Sequence, residues 1–334
     1  MTVGSTGRAP AQGPALRRTG VTLPLRGLSL HEHRSVVTEM IGLGYDHAWA
    51  GEANGIDAIS PLAAAAAWAP GLGIGTAVVP VQTRGPALMA MTAAALAELA
   101  PGRSALGLGV SSPAVVHGWN DRTFDRPLQR VTDLMRFLRE AFAGRSVSRR
   151  YPTFEVTNFR LDRPVPSPPD LLVAALRPRM LQLAATEADG AITTTVSAED
   201  IPTIRDHLGP EGRLVVWVSV CPSADAVLVR DLARPNLTAY LCLPAYRAQQ
   251  VWLGRSARLD STWRAWDRGD YNGAALALPD SVIDELVVYG SAAACRSGIA
   301  RFFAAGATDV SISLDPVMSD PLGALRALAP AVGG

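Results

Sequence analysis

The chain has 334 residues, of which 48% are hydrophobic and 18% are charged, a composition typical of a folded globular protein. The formal net charge is +1, which gives no electrostatic reason to expect a nucleic acid or an acidic membrane as a partner. All 31 basic residues are arginine, so Schiff-base chemistry on a lysine and a lysine-bearing P-loop are both excluded.

The amino-terminal residues and the cysteines indicate a cytoplasmic protein. Residues 1–18 are rich in Gly, Ala, Pro and Arg and lack the apolar stretch of a signal peptide, so we expect a disordered tail there. Cys221, Cys242 and Cys295 are odd in number and far apart, which fits neither a disulfide framework nor a zinc site. The alanine-rich run near residue 63 is too short to span a bilayer, so no membrane association is predicted.

From residue 21 onward, short apolar runs alternate with amphipathic helical patterns. In the first half of the chain, strands are predicted at 21–25, 46–51, 72–79 and 103–110, and helices at 29–44, 61–68, 86–100 and 127–142. In the second half, strands are predicted at 171–176, 190–195, 214–220 and 308–314, and helices at 179–188, 291–306 and 321–330. A linker rich in proline and arginine is expected at 146–169, and an irregular insertion at 222–282.

Eight strands that alternate with helices predict a (β/α)8 barrel, a single domain over residues 19–334. Its active-site loops would follow the carboxyl ends of the strands. A doubly wound open sheet has the same alternation of elements, and buried parallel strands look alike in both folds.

The stretch LGLGVSSPAVVHGW, residues 106–119, is a candidate phosphate loop. Gly107 and Gly109 allow close approach of the backbone, and Ser111 and Ser112 provide hydroxyls that can cap a turn or bind an anion. The third glycine of a dinucleotide fingerprint is absent, because Ser112 occupies its position. A glycine-rich end of a buried strand is therefore the alternative interpretation.

Four segments of the chain resemble one protein family: residues 44–62, 74–91, 98–120 and 171–194. Together they resemble the luciferase-like monooxygenase superfamily, and within it the oxidoreductases that depend on the deazaflavin coenzyme F420. The resemblance implies a (β/α)8 barrel with the cofactor in its mouth. It also implies a bulge in the third strand behind the cofactor ring, often with a cis peptide bond, which here would join Ala77 and Val78.

The resemblance further implies which residues hold the cofactor. They are Thr76, Ala77, Val78, Gly109, Val110, Ser111, Ser112, Ala175, Leu176, Arg177 and Thr194. Arg177 is chemically suited to this role, because a guanidinium pairs well with phosphate oxygens. A cation at the start of a helix opposes the helix dipole, and a bound anion would relieve that conflict. A solvated arginine is the alternative.

Two residues are candidates for proton transfer. Glu52 follows the second predicted strand, where members of the family often carry an Asp-His pair, and this chain reads Gly51-Glu52 instead. It could relay a proton, orient a substrate or serve only as a rim carboxylate. His117 lies in VVHGWND, where many relatives read VVEGWHG; it could exchange a proton near pH 7 or pack beside Trp119. No metal site is predicted.

The function that the resemblance implies is hydride transfer between reduced F420 and a small organic substrate, in an enzyme that forms a homodimer. An FMN-dependent monooxygenase on the same fold is the first alternative, since fold does not determine function. A barrel that has lost its cofactor and acts as a binding or scaffold subunit is the second.

Overall fold

The computed structural model describes residues 17–315 and 320–330. The strands are β1 (Arg18–Leu23), β2 (His47–Ala50), β3 (Gly73–Thr76), β4 (Val79–Pro80), β5 (Ser104–Gly109), β6 (Val147–Tyr151), β7 (Phe154–Phe159), β8 (Asp170–Ala174), β9 (Gly190–Thr194), β10 (Arg213–Cys221), β11 (Val287–Tyr289) and β12 (Asp309–Leu314). The helices are α1 (His33–Gly42), α2 (Ile59–Trp68), α3 (Pro86–Leu99), α4 (Pro127–Phe142), α5 (Pro178–Glu187), α6 (Ile201–Leu208), α7 (Ala226–Cys242), α8 (Pro244–Trp252), α9 (Ser256–Asp267), α10 (Tyr271–Ala277), α11 (Asp280–Leu286), α12 (Ala292–Ala304) and α13 (Pro321–Leu328).

Eight parallel strands close into a barrel in the order β1, β2, β3, β5, β8, β9, β10 and β12. The ring is completed by β12 and β1, which pair from Arg18 opposite Asp309 to Val21 opposite Ile312. This closure confirms the (β/α)8 barrel and rules out the open sheet. The short strands β4 and β11 extend the sheet at the carboxyl edge of β5 and β10.

Side chains of the barrel strands alternate between two apolar layers, which explains why the strands read as nearly continuous hydrophobic runs. Outward residues such as Val310 and Ile312 pack against the surrounding helices. Inward residues from five strands form a second core inside the barrel: Trp49, Ala105, Leu172, Ile192 and Val215. The outer layer makes up most of the buried apolar surface, and the inner layer fills the barrel below its mouth.

Trp49 is fully buried and fills the middle of the barrel. Gly20 and Gly75, on the two neighbouring strands, face its indole, and a Cβ at either position would overlap the ring. Below it, Arg213 closes the amino-terminal end of the barrel through a bidentate ion pair with Asp309, at 2.6 and 3.0 Å. The barrel interior is therefore packed with side chains and does not form a channel.

Several sequence predictions need correction. Arg18 belongs to β1 and donates its amide to the Thr308 carbonyl, so the predicted tail ends earlier; residues 1–16 lie outside the described ranges. The linker predicted at 146–169 contains the antiparallel hairpin of β6 and β7, and helix α6 was not predicted.

The insertion predicted as irregular at 222–282 consists of helices α7 to α11 with a core of their own. Pro235 lies inside α7 and two of the helices have seven residues, so no helical period is visible in the sequence. Trp263 anchors this core by donating its indole N–H to the Leu241 carbonyl at 3.0 Å. None of the helices in the described ranges is long and apolar enough to cross a membrane.

Candidate functional site

Small residues line the floor of the barrel mouth, where β2, β3, β5 and β8 end. A Cβ on Gly109 would overlap the Val78 side chain and lie 3.4 Å from the Ala174 Cβ. A Cβ on Gly51 would lie 2.6 Å from the Ala77 carbonyl oxygen. The bulge at Ala77 and Val78 therefore approaches both neighbouring strands so closely that only glycine fits beside it.

The predicted cis peptide bond between Ala77 and Val78 is present. The Glu52 amide donates to the Val78 carbonyl at 3.0 Å, which ties the loop after β2 to this bulge. Beneath the bulge, the Thr76 hydroxyl donates to the Gly107 carbonyl and accepts from the Gly107 amide, both at 2.8 Å. Because its hydroxyl is used inside the sheet, Thr76 supports the bulge from below, and the predicted contact with a cofactor rests on Ala77 and Val78.

The two serines of the candidate phosphate loop differ in their roles. Ser112 Oγ accepts the Val115 amide at 3.4 Å, at the start of a short π-helical turn, Ala114–Trp119. Ser111 adopts a left-handed conformation with φ of 59°, which is uncommon outside glycine. Within residues 17–315 and 320–330, the Ser111 hydroxyl has no hydrogen-bond partner, so it remains available to a ligand.

The loops after β5 and β8 lie side by side, because these two strands are paired. The amide N–H groups of Ser111, Ser112, Leu176 and Arg177 have no hydrogen-bond acceptor among the described residues. By contrast, the Ala175 amide donates to Ile192 and is used inside the sheet. A cluster of unpaired amides at adjacent loops is a favourable environment for an anion.

Arg177 stands at the start of α5, where Pro178 is the first helical residue. Its side chain is exposed, and no carboxylate in the described part of the chain pairs with its guanidinium. Val110, between Gly109 and Ser111, is half-buried and packs against the outer core. The structure thus brings the predicted loop residues together with one unpaired cation.

The carboxyl end of β9 is held by the insertion. Gln249 and Gln250 of α8 are both fully buried, and they donate to the carbonyls of Thr194 and Thr195, each at 3.0 Å. Thr195 adopts φ of 59°, which is rare for a β-branched residue. The Thr194 hydroxyl donates to the Trp217 carbonyl at 3.3 Å, so both the hydroxyl and the carbonyl of Thr194 have partners in the protein, and its contact with a cofactor stays a prediction.

A buried arginine supports these glutamines. Arg255 donates to Gln250 Oε1 at 3.2 Å, to Asp200 at 2.7 Å and to Glu285 at 3.0 Å. Burial opposes the charge on Arg255, but the hydrogen bond to Asp200 and the charges of both carboxylates raise its pKa above the usual value. The position of α8 on the barrel is therefore fixed by a network of satisfied polar groups.

Glu52 is one half of an ion pair that the sequence analysis missed. Both of its carboxylate oxygens accept hydrogen bonds from Arg84, each at 2.6 Å, and the side chains are only 14% and 18% exposed. The hydrogen bond to Glu52 raises the pKa of Arg84 above its usual value. The only sequence signal was an arginine in the turn after a strand, in the run TRGP at 83–86. Glu52 is thus not a free rim carboxylate.

A cleft of about 350 Å³ opens above this ion pair. Its walls are the loop after β2, the loop after β4 and the π-helical turn, which contributes Val115 and Asn120. His117 lies on the same turn but is exposed, and it does not line the cleft. Trp119 is 58% exposed and makes no ring contact with His117. The structure therefore places His117 near the cleft without joining it to Glu52.

Asp315, at the carboxyl end of β12, is a further titratable group that the sequence analysis did not single out. Burial raises its pKa above the usual value, although Arg26 lies 3.9 Å away and Asn236 donates to its carboxylate at 3.2 Å. The sequence signal was the acidic residue directly after the last strand, in SISLDP. No three His, Cys, Asp or Glu residues in the ranges that the structure describes are grouped to hold a metal ion.

Comparison with known proteins relates this fold to one family. The model of the luciferase-like monooxygenase family matches residues 9–309. A relative from Mycobacterium tuberculosis, whose name describes a coenzyme F420-dependent oxidoreductase, is 27% identical over 312 residues, covering 83% of this chain and 88% of the relative.

Two solved structures have the same fold. The F420-dependent tetrahydromethanopterin reductase from Methanopyrus kandleri aligns with a TM-score of 0.76 at 17% identity, over 94% of this chain and 98% of that chain. An F420-dependent secondary alcohol dehydrogenase, solved with an F420–acetone adduct, aligns with a TM-score of 0.71 at 16% identity, over 94% and 100%. At these identities the two structures establish the fold alone.

Proposed function

Since the chain belongs to the luciferase-like monooxygenase family, we propose that it is a coenzyme F420-dependent oxidoreductase that transfers a hydride between reduced F420 and a small organic substrate. One observation carries the proposal: amides and an arginine that have no partner among the described residues lie beside a mouth whose floor is built largely from small residues. The name of the relative from Mycobacterium tuberculosis supports F420 rather than FMN.

The loops after β5 and β8 would hold the phosphate of the cofactor. Ser111 and Ser112 offer two amides and one available hydroxyl, and Leu176 and Arg177 offer two more amides. The Arg177 guanidinium would add two parallel hydrogen bonds to phosphate oxygens. A phosphate there would also offset the unfavourable position of this cation at the amino terminus of α5.

The bulge of β3 would support the cofactor ring. Val78 is half-buried and faces the mouth, and Gly109 leaves room for it. Because the Glu52 amide and the Ala50 carbonyl both bond to the bulge, at 3.0 and 2.6 Å, its position is set by β2 rather than by the ligand. When bound, F420 supplies the hydride chemistry at C5 of its ring, and the protein contributes position and electrostatics.

His117 is the residue that we propose to exchange the proton, because an imidazole can both accept and donate a proton and this one is exposed on the turn that borders the cleft. Glu52 already binds Arg84 through both oxygens, so its proposed task is to orient the substrate. Of the roles that the sequence left open for Glu52, this proposal assigns proton transfer to His117 and orientation of the substrate to Glu52.

A homodimer is part of the proposal. Helix α3 presents Leu88, Met91 and Leu99 to solvent, and these apolar side chains would be covered by a second copy. A cytoplasmic location is also proposed, because Cys221, Cys242 and Cys295 are all buried and a reducing compartment keeps such thiols intact.

The test is a titration of the full chain with F420 and, separately, with FMN, followed by ligand and tryptophan fluorescence. We expect tight F420 binding that weakens about tenfold or more in Arg177→Ala, because a hydrogen bond to a charged group contributes about 1.5–3 kcal/mol. Arg145→Ala is the matched control, since Arg145 is also exposed and follows the carboxyl end of α4.

Each other result changes the conclusion. Binding of FMN alone would identify the FMN-dependent monooxygenase, and binding of neither cofactor would identify a barrel that acts as a binding or scaffold subunit. F420 binding that is equally tight in Arg177→Ala and Arg145→Ala would overturn the assignment of the phosphate loop.

A further inference from the structure

One wall of the mouth, formed by β1, β10 and β12, presents polar side chains to the inside of the barrel. The outward residues of these strands belong to the outer core: Val21, Leu23, Val218, Val220, Ile312 and Leu314. Because successive side chains of a strand point to opposite faces, the residues between and after them face inward. We call four of these inward residues the polar wall: Thr22, Ser219, Ser313 and Asp315.

The polar wall is accessible from the mouth. All four of its residues are partly exposed, whereas the outward residues beside them are buried. Ser311, one inward position below Ser313, is fully buried. Trp49 fills the middle of the barrel, so the polar wall is reached from the mouth. The mouth therefore continues downward along β10 and β12 as a hollow that ends near Ser311.

Two hydroxyls of the polar wall are available to a ligand. Ser219 and Ser313 are register partners on paired strands, which lie about 4.8 Å apart. Within residues 17–315 and 320–330, neither hydroxyl has a hydrogen-bond partner. By contrast, the hydroxyls of Thr22 and Ser311 lie 3.0 Å apart and bond to each other. Since a hydroxyl donates one hydrogen bond and accepts two, Ser219 and Ser313 together can bind two adjacent oxygens of one molecule.

The polar wall lies across the mouth from the bulge at Ala77 and Val78. In the ring of eight strands, β10 is four strands away from β3 in either direction. A cofactor ring resting on the bulge would therefore turn its other face toward β10 and β12. At its other edge the polar wall adjoins β2, which pairs with β1 and leads to Glu52.

Asp315 closes the top of the polar wall without giving it a strong charge. Asn236 of α7 donates to its carboxylate at 3.2 Å, and the Arg26 guanidinium lies 3.9 Å away. Burial opposes ionisation and raises the pKa of Asp315 above its usual value. An anion would lie against this carboxylate, and a cation would compete for it with Arg26. The polar wall thus favours an uncharged ligand that forms hydrogen bonds.

We infer that the polar wall is the substrate subsite and that it takes an uncharged molecule with two adjacent hydroxyl or carbonyl oxygens, bound by Ser219 and Ser313. The word substrate rests on the proposed function. The preference for adjacent uncharged oxygens rests only on the polar wall.

The experiment compares four probes that share a six-membered carbon ring: cyclohexane-1,2-diol, cyclohexanol, cyclohexylammonium and cyclohexanecarboxylate. Their binding to the full chain at pH 7 is measured by ligand-observed NMR, with and without F420, and F420 binding is measured on the same samples. We expect the diol to bind about fivefold more tightly than cyclohexanol, the effect of one further neutral hydrogen bond. Both charged probes should bind more weakly than the diol.

Ser219→Ala and Ser313→Ala should each reduce the affinity for the diol to about that for cyclohexanol. Neither substitution removes a hydrogen bond within the described part of the protein, so both variants should fold and unfold in urea like the wild type. Ser146→Ala is the matched control, since Ser146 is exposed between α4 and β6 and should leave the preference unchanged.

The remaining outcomes separate this inference from the proposed function. Equal binding of diol and cyclohexanol, tighter binding of a charged probe, no binding of any probe, or a preference that survives in both serine variants would overturn the inference. If F420 binds in such a case, the proposed function stands without it. If the diol preference holds and F420 does not bind, the proposed function fails while the ligand class of the polar wall stands.

Discussion

Replacement of His47 by glutamine is expected to reduce the pH dependence of the free energy of unfolding. His47 is buried inside the barrel, where its ring stacks on Trp49 with centroids 5.6 Å apart. Its Nε2 lies 3.4 Å from Arg213 Nη2, and its Nδ1 is buried without a hydrogen-bond partner in the part of the chain that the structure describes. Burial, and then the charge of Arg213, lower the pKa of His47 from 6.5 to about 3.

The size of the effect follows from this shift. In the unfolded chain the imidazole binds a proton below about pH 6.5, whereas in the folded barrel it stays neutral until about pH 3. The contribution of His47 to the free energy of unfolding is therefore fully present above about pH 6.5 and is lost as the pH falls toward about 3. The loss approaches about 1.4 kcal/mol per pH unit, which amounts to about 2 kcal/mol between pH 7 and pH 5.

The assay is urea unfolding at pH 7 and pH 5, followed by tryptophan fluorescence, for the wild type and for His47→Gln. Other titrating groups contribute to both proteins, so the difference between the two pH responses isolates His47. His31→Gln is the control, because His31 is exposed at the start of α1 and should leave the response unchanged. An equal loss of stability on acidification in the wild type and in His47→Gln would refute the reasoning.

Two further substitutions test the mouth. Gly109→Ala should abolish F420 binding and lower the free energy of unfolding in urea by about 1–3 kcal/mol, because the new Cβ would overlap Val78. Gly118→Ala is the control, since its new Cβ would have nothing within 4 Å, and it should change neither quantity. Equal effects of the two substitutions would contradict the packing argument. Gln250→Leu should cost about 1–3 kcal/mol and weaken F420 binding by releasing the end of β9, because it leaves buried polar partners unsatisfied. Gln182→Leu on exposed α5 is its control, and unchanged F420 affinity in Gln250→Leu would separate α8 from the cofactor site.

The barrel could be predicted from the sequence because its elements are locally determined. Helix α4 was predicted with its observed bounds, Pro127–Phe142, since proline marks its start and its apolar residues follow a helical period. The hairpin at 147–159 was missed because its outward residues include Ser148, Arg149 and Arg150, which read as a polar linker. The helices of the insertion bury their apolar faces against each other, and short helices of this kind show no clear period.

The candidate site divides in the same way. The candidate phosphate loop was proposed from Gly107, Gly109, Ser111 and Ser112, whose conformational and capping preferences are local, and its role stays a prediction. The Glu52–Arg84 pair joins residues 32 positions apart and forms only because the loops after β2 and β4 meet beside the bulge. Gln249 and Gln250 likewise acquire their role from the carbonyls of β9, 55 positions away. Contacts of this kind depend on tertiary geometry that no local pattern records.

The indole of Trp49, packed between two glycines, fills the middle of the barrel, so the mouth is the open end of the barrel among the residues that the structure describes. If a cofactor rests on the bulge, as we propose, the cofactor and its substrate must pass through the same opening. Whichever ligand lies deeper has to arrive first and depart last. We consequently expect a compulsory order of binding in steady-state kinetics, imposed by one side chain buried below the mouth.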